Sequence, residues 1–227
     1  IYVLDTGSTD DTYAKFKSLE AKNPEKLKVF QAEIKPWHFG KARQYLLDLI
    51  PKDPNIVCIA VDLDEGFTNP QWANWVRSHW KCGVHERGTY GYIESTTEEQ
   101  RQQRIFKYNW MHDRLGWRWV MPVHEYLVRA DCEGYVERYP AEPFVLACDM
   151  KVVSLEHHPD RTKSRSQYKE LLKMRLQENP EKDYQAMYYL ANEEWGSGNV
   201  AAAEELFLEI YKNDSAQLDV IGAAMSW

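Results

Sequence analysis

The chain has no apolar run long enough to cross a membrane. A spanning helix needs about 18 or more consecutive apolar residues, and none occurs among its 227 residues. It has no surplus of positive charge either. With 28 Lys and Arg against 35 Asp and Glu, the formal net charge is −7, so no nucleic-acid partner is expected. Cysteine is scarce: Cys58, Cys82, Cys132 and Cys148 have neither CxxC spacing nor the density of a disulfide framework. They read as reduced thiols, from which a cytoplasmic location is expected. The opening residues lack the charged, apolar and small-residue blocks of a signal peptide. They read as a strand already under way, and the last residues read as helix. The expectation is a fragment that starts inside a fold, with upstream sequence missing.

What is present suffices for a buried core: 44% hydrophobic and 13% aromatic residues. The length fits one large domain, or one domain with an appendage. Nine Trp and fourteen Tyr either fill that core or line a groove for a sugar or peptide.

Strands and helices alternate along the first part. Residues 1–4 read as a buried strand, and Ser8 or Thr9 as the N-cap of a helix over 10–21. Residues 27–32 read as a strand. Phe39, Ala42, Leu46 and Leu49 or Ile50 recur with helical period, ended by Pro51 and Pro54. Residues 56–61 form a continuous apolar strand of the kind covered on both faces. A helix over 70–80 and strands over 89–94, 104–108 and 152–156 follow, with 117–128 strand-like or irregular. The alternation predicts a parallel or mixed sheet. After Pro159 the pattern becomes helical: 162–177, then a hairpin of 184–196 and 200–212 around Gly196-Ser197-Gly198-Asn199, then another helix from 216. Leu190-Ala191, Gly198, Ala203 and Phe207 match the spacing of a tetratricopeptide unit.

Two polar turns end apolar strands, where open α/β sheets bind ligands. In Asp5-Thr6-Gly7-Ser8-Thr9-Asp10-Asp11-Thr12, Asp5 can accept hydrogen bonds from a base N–H or a ribose hydroxyl. Gly7 permits a tight backbone, and the helix start after Ser8 favours an anion. The same residues also make an ordinary Asx turn with an N-cap. In Asp62-Leu63-Asp64-Glu65 two carboxylates lie on one side of an extended segment. Such oxygens suit Mg²⁺ or Mn²⁺ and a ligand's phosphates, or simply a solvated acidic turn. Between them, Arg43 offers a planar donor fork to a phosphate or nucleoside, or sits on the surface of an amphipathic helix. His124-Glu125 lacks the second His of a zincin, Val128 standing there.

The Asp5–Thr12 octet, Phe39-x-x-Ala42-Arg43 and Asp62-x-Asp64-Glu65, in this order, together resemble family 2 glycosyltransferases of the GT-A fold over about residues 1–158. Val123-His124-Glu125-Tyr126-Leu127 resembles the "HE" segment of a subgroup. His157-His158-Pro159-Asp160 with Lys163-Ser164-Arg165 resembles the junction where that subgroup passes into tetratricopeptide-like helices. The resemblance implies an α/β GT-A domain, Rossmann-like with a mixed sheet, over 1–158 and a TPR-like helical region over 159–227. It implies an inverting, metal-dependent transfer of one hexosyl or N-acetylhexosaminyl unit from a nucleotide-diphosphate sugar, most naturally a UDP-sugar. The acceptor would be a protein, a lipid-linked glycan or an envelope glycan.

The resemblance also distributes roles. Asp5, with Gly7 and Ser8, would hold the nucleoside, Arg43 the uridine or phosphates, and Asp62 the ribose or metal. Asp64 would be the main metal ligand, and His157, in preference to His158, a later one. Glu125 would be the general base, with Asp113 or Asp131 as substitutes. Arg161, Lys163 or Arg165 would contact the diphosphate or form a solvated helix face. The helical region would present an acceptor or mediate oligomerisation. Gln44 departs from the Asn commoner after the Ala-Arg pair, and no Gln-x-x-Arg-Trp segment is present, which argues against a processive synthase. A nucleotidyltransferase, or a binding scaffold on a decayed transferase domain, are the alternatives.

Overall fold

The computed structural model describes residues 1–94, 105–132, 144–158, 167–179 and 183–212. The helix expected from 216, the residues Arg161, Lys163 and Arg165, and the expected boundary at 159 lie outside them. Among the described residues the protein is mixed α/β, with ten strands and six helices.

β1 (Tyr2–Asp5) and β2 (Lys28–Gln31) pair in parallel, joined by α1 (Thr12–Lys22). They form a two-stranded sheet of their own. The helix starts later than Ser8 or Thr9 would set it. Asp11 is the N-cap residue and makes no side-chain cap bond. Asp10 instead accepts from the Thr12 N–H at 3.0 Å, because Asp5 has already folded residues 5–8 into a separate turn.

The main sheet contains β3 (Val57–Ile59), β4 (Glu65–Phe67), β5 (Arg87–Glu94), β6 (Ile105–Asp113), β9 (Val145–Ala147) and β10 (Ser154–His157). Its order is β3-β6-β5-β10-β4, with β9 also on β5. β5 pairs parallel with β9 and β10 and antiparallel with β6, and β4 runs antiparallel to β10. The mixed sheet is therefore as expected. β4 and β9 are not expected from the sequence, since three residues are too few to display a period. α3 (Trp72–His79) covers one face, and Val76, Trp80, Tyr90, Met111, Val153 and Leu155 close that core.

The ambiguous stretch 117–128 resolves into an antiparallel pair, β7 (Trp117–Val120) and β8 (Tyr126–Arg129). Between them the backbone turns left-handed twice, at Met121 (φ 72°) and His124 (φ 50°). Non-glycine residues rarely adopt this region, at a cost of roughly 1–3 kcal/mol each, and persist there only when surrounding contacts over-determine them.

α2 (Phe39–Leu49) packs on β7 and β1 through Ala42 and Leu47. Its first turn is satisfied from two sides. The His38 ring accepts the Lys41 N–H at 3.0 Å, and the Phe39 and Gly40 N–H groups donate to the Pro122 and Met121 carbonyls at 3.1 and 3.0 Å. Gly40 is required by this approach: a Cβ there would stand 2.6 Å from the Val120 and Met121 oxygens.

The C-terminal helices are α4 (Tyr168–Glu178), α5 (Tyr184–Gly196) and α6 (Val200–Tyr211). α5 and α6 form the expected hairpin, turned by Gly198 at φ 84°. These helices share a core with the α/β part. Val123 is buried with Leu171, Leu172, Ala186 and Leu190, against Trp37 and Phe39. Arg175 lies 2% exposed beneath this seam, donating to Asp183 at 2.8 Å and to the Val123 carbonyl at 3.4 Å.

Gly40→Ala should destabilise the fold by about 1–3 kcal/mol, the range for overpacking against immovable backbone. Gly66→Ala, where a Cβ meets nothing within 4 Å, should cost less; denaturant unfolding of both variants checks the difference.

Candidate functional site

Five side chains from four distant stretches converge beyond the end of β3. Arg43, in α2, lies between two carboxylates. Its Nε donates to Glu125 Oε1 at 2.6 Å, and its Nη2 donates to both Asp62 oxygens at 3.0 and 3.1 Å. The guanidinium also lies 4.0 Å over the Trp110 ring and 5.3 Å from that of Trp119. Burial works against its charge, but Glu125 and Asp62 outweigh it and hold the pKa above the ordinary arginine value. The two pairs are unequal. Glu125 and Arg43 side chains are 8% and 13% exposed, whereas that of Asp62 is 50% exposed. Glu125 Oε2 makes no hydrogen bond among the described residues.

Asp64 faces His157 with Oδ2 and Nε2 3.7 Å apart. The cause is register: Glu65 is opposite His157 in the β4–β10 ladder, and the His158 N–H donates to the Asp64 carbonyl at 2.7 Å. His158 itself turns outward, 64% exposed, toward Glu156 at 3.9 Å. The Asp62–Glu65 turn is closed twice: the Glu65 N–H donates to the Asp62 carbonyl at 3.1 Å, and the Asp62 N–H to Glu65 Oε2 at 2.8 Å. Burial raises the Glu65 pKa, against the opposing hydrogen bond from the Asp62 N–H.

Do these residues fit a divalent cation? Bonds of about 2.1 Å put adjacent octahedral ligands about 3 Å apart and opposite ones about 4.2 Å apart. The 3.7 Å between Asp64 Oδ2 and His157 Nε2 matches neither spacing, so one side chain would have to shift on binding; the carboxylate oxygen suits Mg²⁺ or Mn²⁺, whereas an imidazole nitrogen is more at home on Zn²⁺, Fe or Ni. No group of three or more His, Cys, Asp or Glu able to hold a metal occurs among the described residues. Asp64 and His157 alone are therefore at most part of a cation site.

An aromatic floor joins the two polar groups. From the His157 ring it runs to Tyr92 at 6.1 Å, Tyr108 at 4.7 Å, Trp110 at 4.7 Å and Trp119 at 5.2 Å. Burial, with Glu65 next, pushes the Tyr92 and Tyr108 phenols far up, so both stay neutral. Sequence motifs assign no role to Glu65 or to this floor. Aromatics at alternate positions on two strands (Tyr90 and Tyr92; Tyr108 and Trp110) are the signal that marks one face of a sheet.

Asp5, 5% exposed, spends one oxygen on three donors. Oδ1 accepts from the Gly7 and Ser8 N–H groups at 3.0 and 3.1 Å and from the Gln31 amide at 3.1 Å. Burial would raise its pKa, but the Ser8 hydroxyl, then Gln31 and the Gly7 and Ser8 N–H groups, hold it below the usual carboxylate value. Gly7 has φ 116°. All hydrogen bonds of Asp5 stay within this turn and β2, so the structure does not join it to the Arg43 group.

Asp113 and Asp131, the substitute bases, are elsewhere. Asp113 is opposite Val57 at the start of β3, and both line a separate cavity of about 380 Å³ with Pro54, His85 and Arg129. Their place in that cavity excludes them from chemistry at Asp62 and Asp64. Gln44 acts locally. Its side-chain oxygen accepts the Trp119 N–H at 2.8 Å, docking α2 on β7.

No helix among the described residues is long and apolar enough to cross a membrane. Comparison of the sequence with protein-family models and with curated proteins returns no match.

Mn²⁺ titrated in the presence of uridine diphosphate and followed by electron paramagnetic resonance should separate the ligands. Asp64→Asn and His157→Ala should each weaken binding at least about tenfold. His158→Ala should leave it within about twofold, as expected of a side chain turned to solvent.

Proposed function

We propose that the chain is an inverting glycosyltransferase domain of the GT-A type, moving one sugar from a nucleotide-diphosphate sugar, foremost a UDP-sugar, to an acceptor on a protein or glycan. One observation carries the reading. A sheltered arginine–glutamate pair, Arg43 and Glu125, and an aspartate–histidine pair, Asp64 and His157, flank a single aromatic floor. That arrangement provides a cationic fork and a cation-binding pair for a diphosphate, flat rings for a sugar, and a carboxylate for an acceptor.

The roles follow from position. Arg43 binds a phosphate oxygen with the fork that now holds Asp62. The turn at Asp5, Gly7 and Ser8 receives the nucleoside, with Asp5 Oδ2 as acceptor. Glu125 Oε2 takes the proton of the attacking acceptor group. As the acceptor's bond to the anomeric carbon forms, that carbon's bond to the diphosphate oxygen breaks. The nucleoside diphosphate leaves with the bonding electrons and the centre inverts. Mg²⁺ or Mn²⁺ held by Asp64 and His157 would supply charge neutralisation for that leaving group. The neutral phenols of Tyr92 and Tyr108 add no charge to the floor, so they favour a sugar ring over a second ion.

A screen of nucleotide sugars with Mn²⁺ or Mg²⁺ should release nucleoside diphosphate, and Asp64→Asn should abolish the metal-dependent release. Release of pyrophosphate instead would make the protein a nucleotidyltransferase. Glu125→Gln should lower turnover about 10²- to 10⁴-fold, the usual worth of a positioned base, with donor affinity little changed. Full turnover in that variant would remove Glu125 from the chemistry.

A further inference from the structure

Glu125 follows the two left-handed residues, and the helical region holds the segment that contains them. Four contacts fix residues 121–124. The Met121 and Pro122 carbonyls accept from the first turn of α2. Val123, 1% exposed, is inserted among Leu171, Leu172, Ala186 and Leu190. Its carbonyl receives Arg175. The His124 ring stacks on Tyr189 of α5, centroids 4.3 Å apart and planes 24° apart, with Tyr168 of α4 at its edge, 6.2 Å away.

The same helices also reach the start of α2, the helix that carries Arg43. His38 caps α2 through Nδ1, which accepts an N–H and therefore carries no proton. Its Nε2–H then donates to Glu178 of α4 at 3.1 Å. Both members of the Arg43–Glu125 pair thus stand on segments that pack against α4 and α5. A core alone would be served by Val123 and the leucines. The flat stack on a strained histidine, one residue before the glutamate, is an addition to it.

We infer that Tyr189 is a positioning residue for the transfer reaction: by stacking on His124 it locks the left-handed backbone that aims Glu125, so the helical region is part of the catalytic apparatus. The inference rests on the transferase reading above. It gives the helices a role besides acceptor presentation, and it means that deleting them removes the support of Glu125 as well as any acceptor groove.

Tyr189→Leu keeps an apolar side chain and loses the flat face; Tyr189→Phe keeps the stacked ring and removes only the hydroxyl. With the donor found in the screen, Tyr189→Leu should lower kcat about tenfold or more, since misplacement by about 1 Å costs up to about 10²-fold. Its Kd for uridine diphosphate with Mn²⁺ should stay within about twofold, and Tyr189→Phe should restore kcat. In a Glu125→Gln background the Tyr189→Leu loss should vanish, as residues acting as a unit are non-additive. An undiminished loss in that background, or an unchanged kcat, overturns the proposal. Hydrogen exchange at the Phe39 and Gly40 amides, which donate to residues 122 and 121, gives a readout without activity. Exchange should quicken in Tyr189→Leu and not in Tyr189→Phe, and equal rates in all three proteins overturn the positioning role. If no nucleotide sugar is turned over by the wild type, the transferase reading fails, while this exchange result still decides whether Tyr189 holds the segment.

Discussion

Arg43 between Glu125 and Asp62 is the contact on which the rest of the site depends. A guanidinium that is 13% exposed persists only with partners, because removing a charge from water without one costs several kcal/mol. Glu125 supplies most of that compensation from an equally sheltered position, and the Trp110 face adds a cation–π contact. This places three constraints on the fold. α2 must lie against β7, residues 121–125 must loop back over it, and β3 must end beside both. The close approach at Gly40, the left-handed Met121 and His124, and the Gln44 bond to β7 are the local means by which these are met.

The helical region changes character in this light. Composition alone marks a transition near residue 159, and the natural expectation is an appendage with a separate role. The buried seam around Val123 and Arg175 also makes it a support of the α/β part. Strain of roughly 1–3 kcal/mol at each left-handed residue is offset by burying Val123 and the leucines around it, at about 25 cal/mol per Å² of apolar surface. The backbone geometry before Glu125 is thus maintained by Leu171, Leu172, Ala186 and Leu190, far along the chain from it.

Much of the architecture is legible from pattern. Phe39, Ala42 and Leu46 announce α2 by period, and Gly198 announces the α5–α6 turn. Residues 56–61 announce β3, though its ladder with β6 covers only Val57–Ile59. Asp62, Asp64, Glu125 and His157 can be selected by residue type and motif. Their pairing cannot, because it follows from register. Asp64 meets His157 only because β4, three residues long, pairs with β10 one way and not another. The N-cap of α1 is misjudged from sequence for a related reason: Asp5, Ser8, Asp10 and Asp11 compete to close the same turn, and the winner depends on Gln31 from a neighbouring strand. Asp113 and Asp131 are plausible bases by type and are excluded by position: both line a separate cavity, with Asp113 opposite Val57 at the start of β3.

The inequality of the two arginine pairs sets an order of events. A half-exposed carboxylate such as Asp62 holds a cation weakly, about 0–1 kcal/mol after screening by water and salt. The sheltered Glu125 bond is far costlier to break, since it would strand one buried charge or both. On the transferase reading proposed above, an incoming diphosphate, carrying more charge than a carboxylate, would displace Asp62 from Nη2 and leave Nε on Glu125. Asp62 would then be released toward whatever cation or ribose accompanies that diphosphate, while Glu125 would stay aimed by a bond that the ligand does not touch. Donor entry in this way would reorganise the solvent-facing side of the cluster only, with Glu125 Oε2 held in place beforehand for the acceptor that the proposal assigns to it.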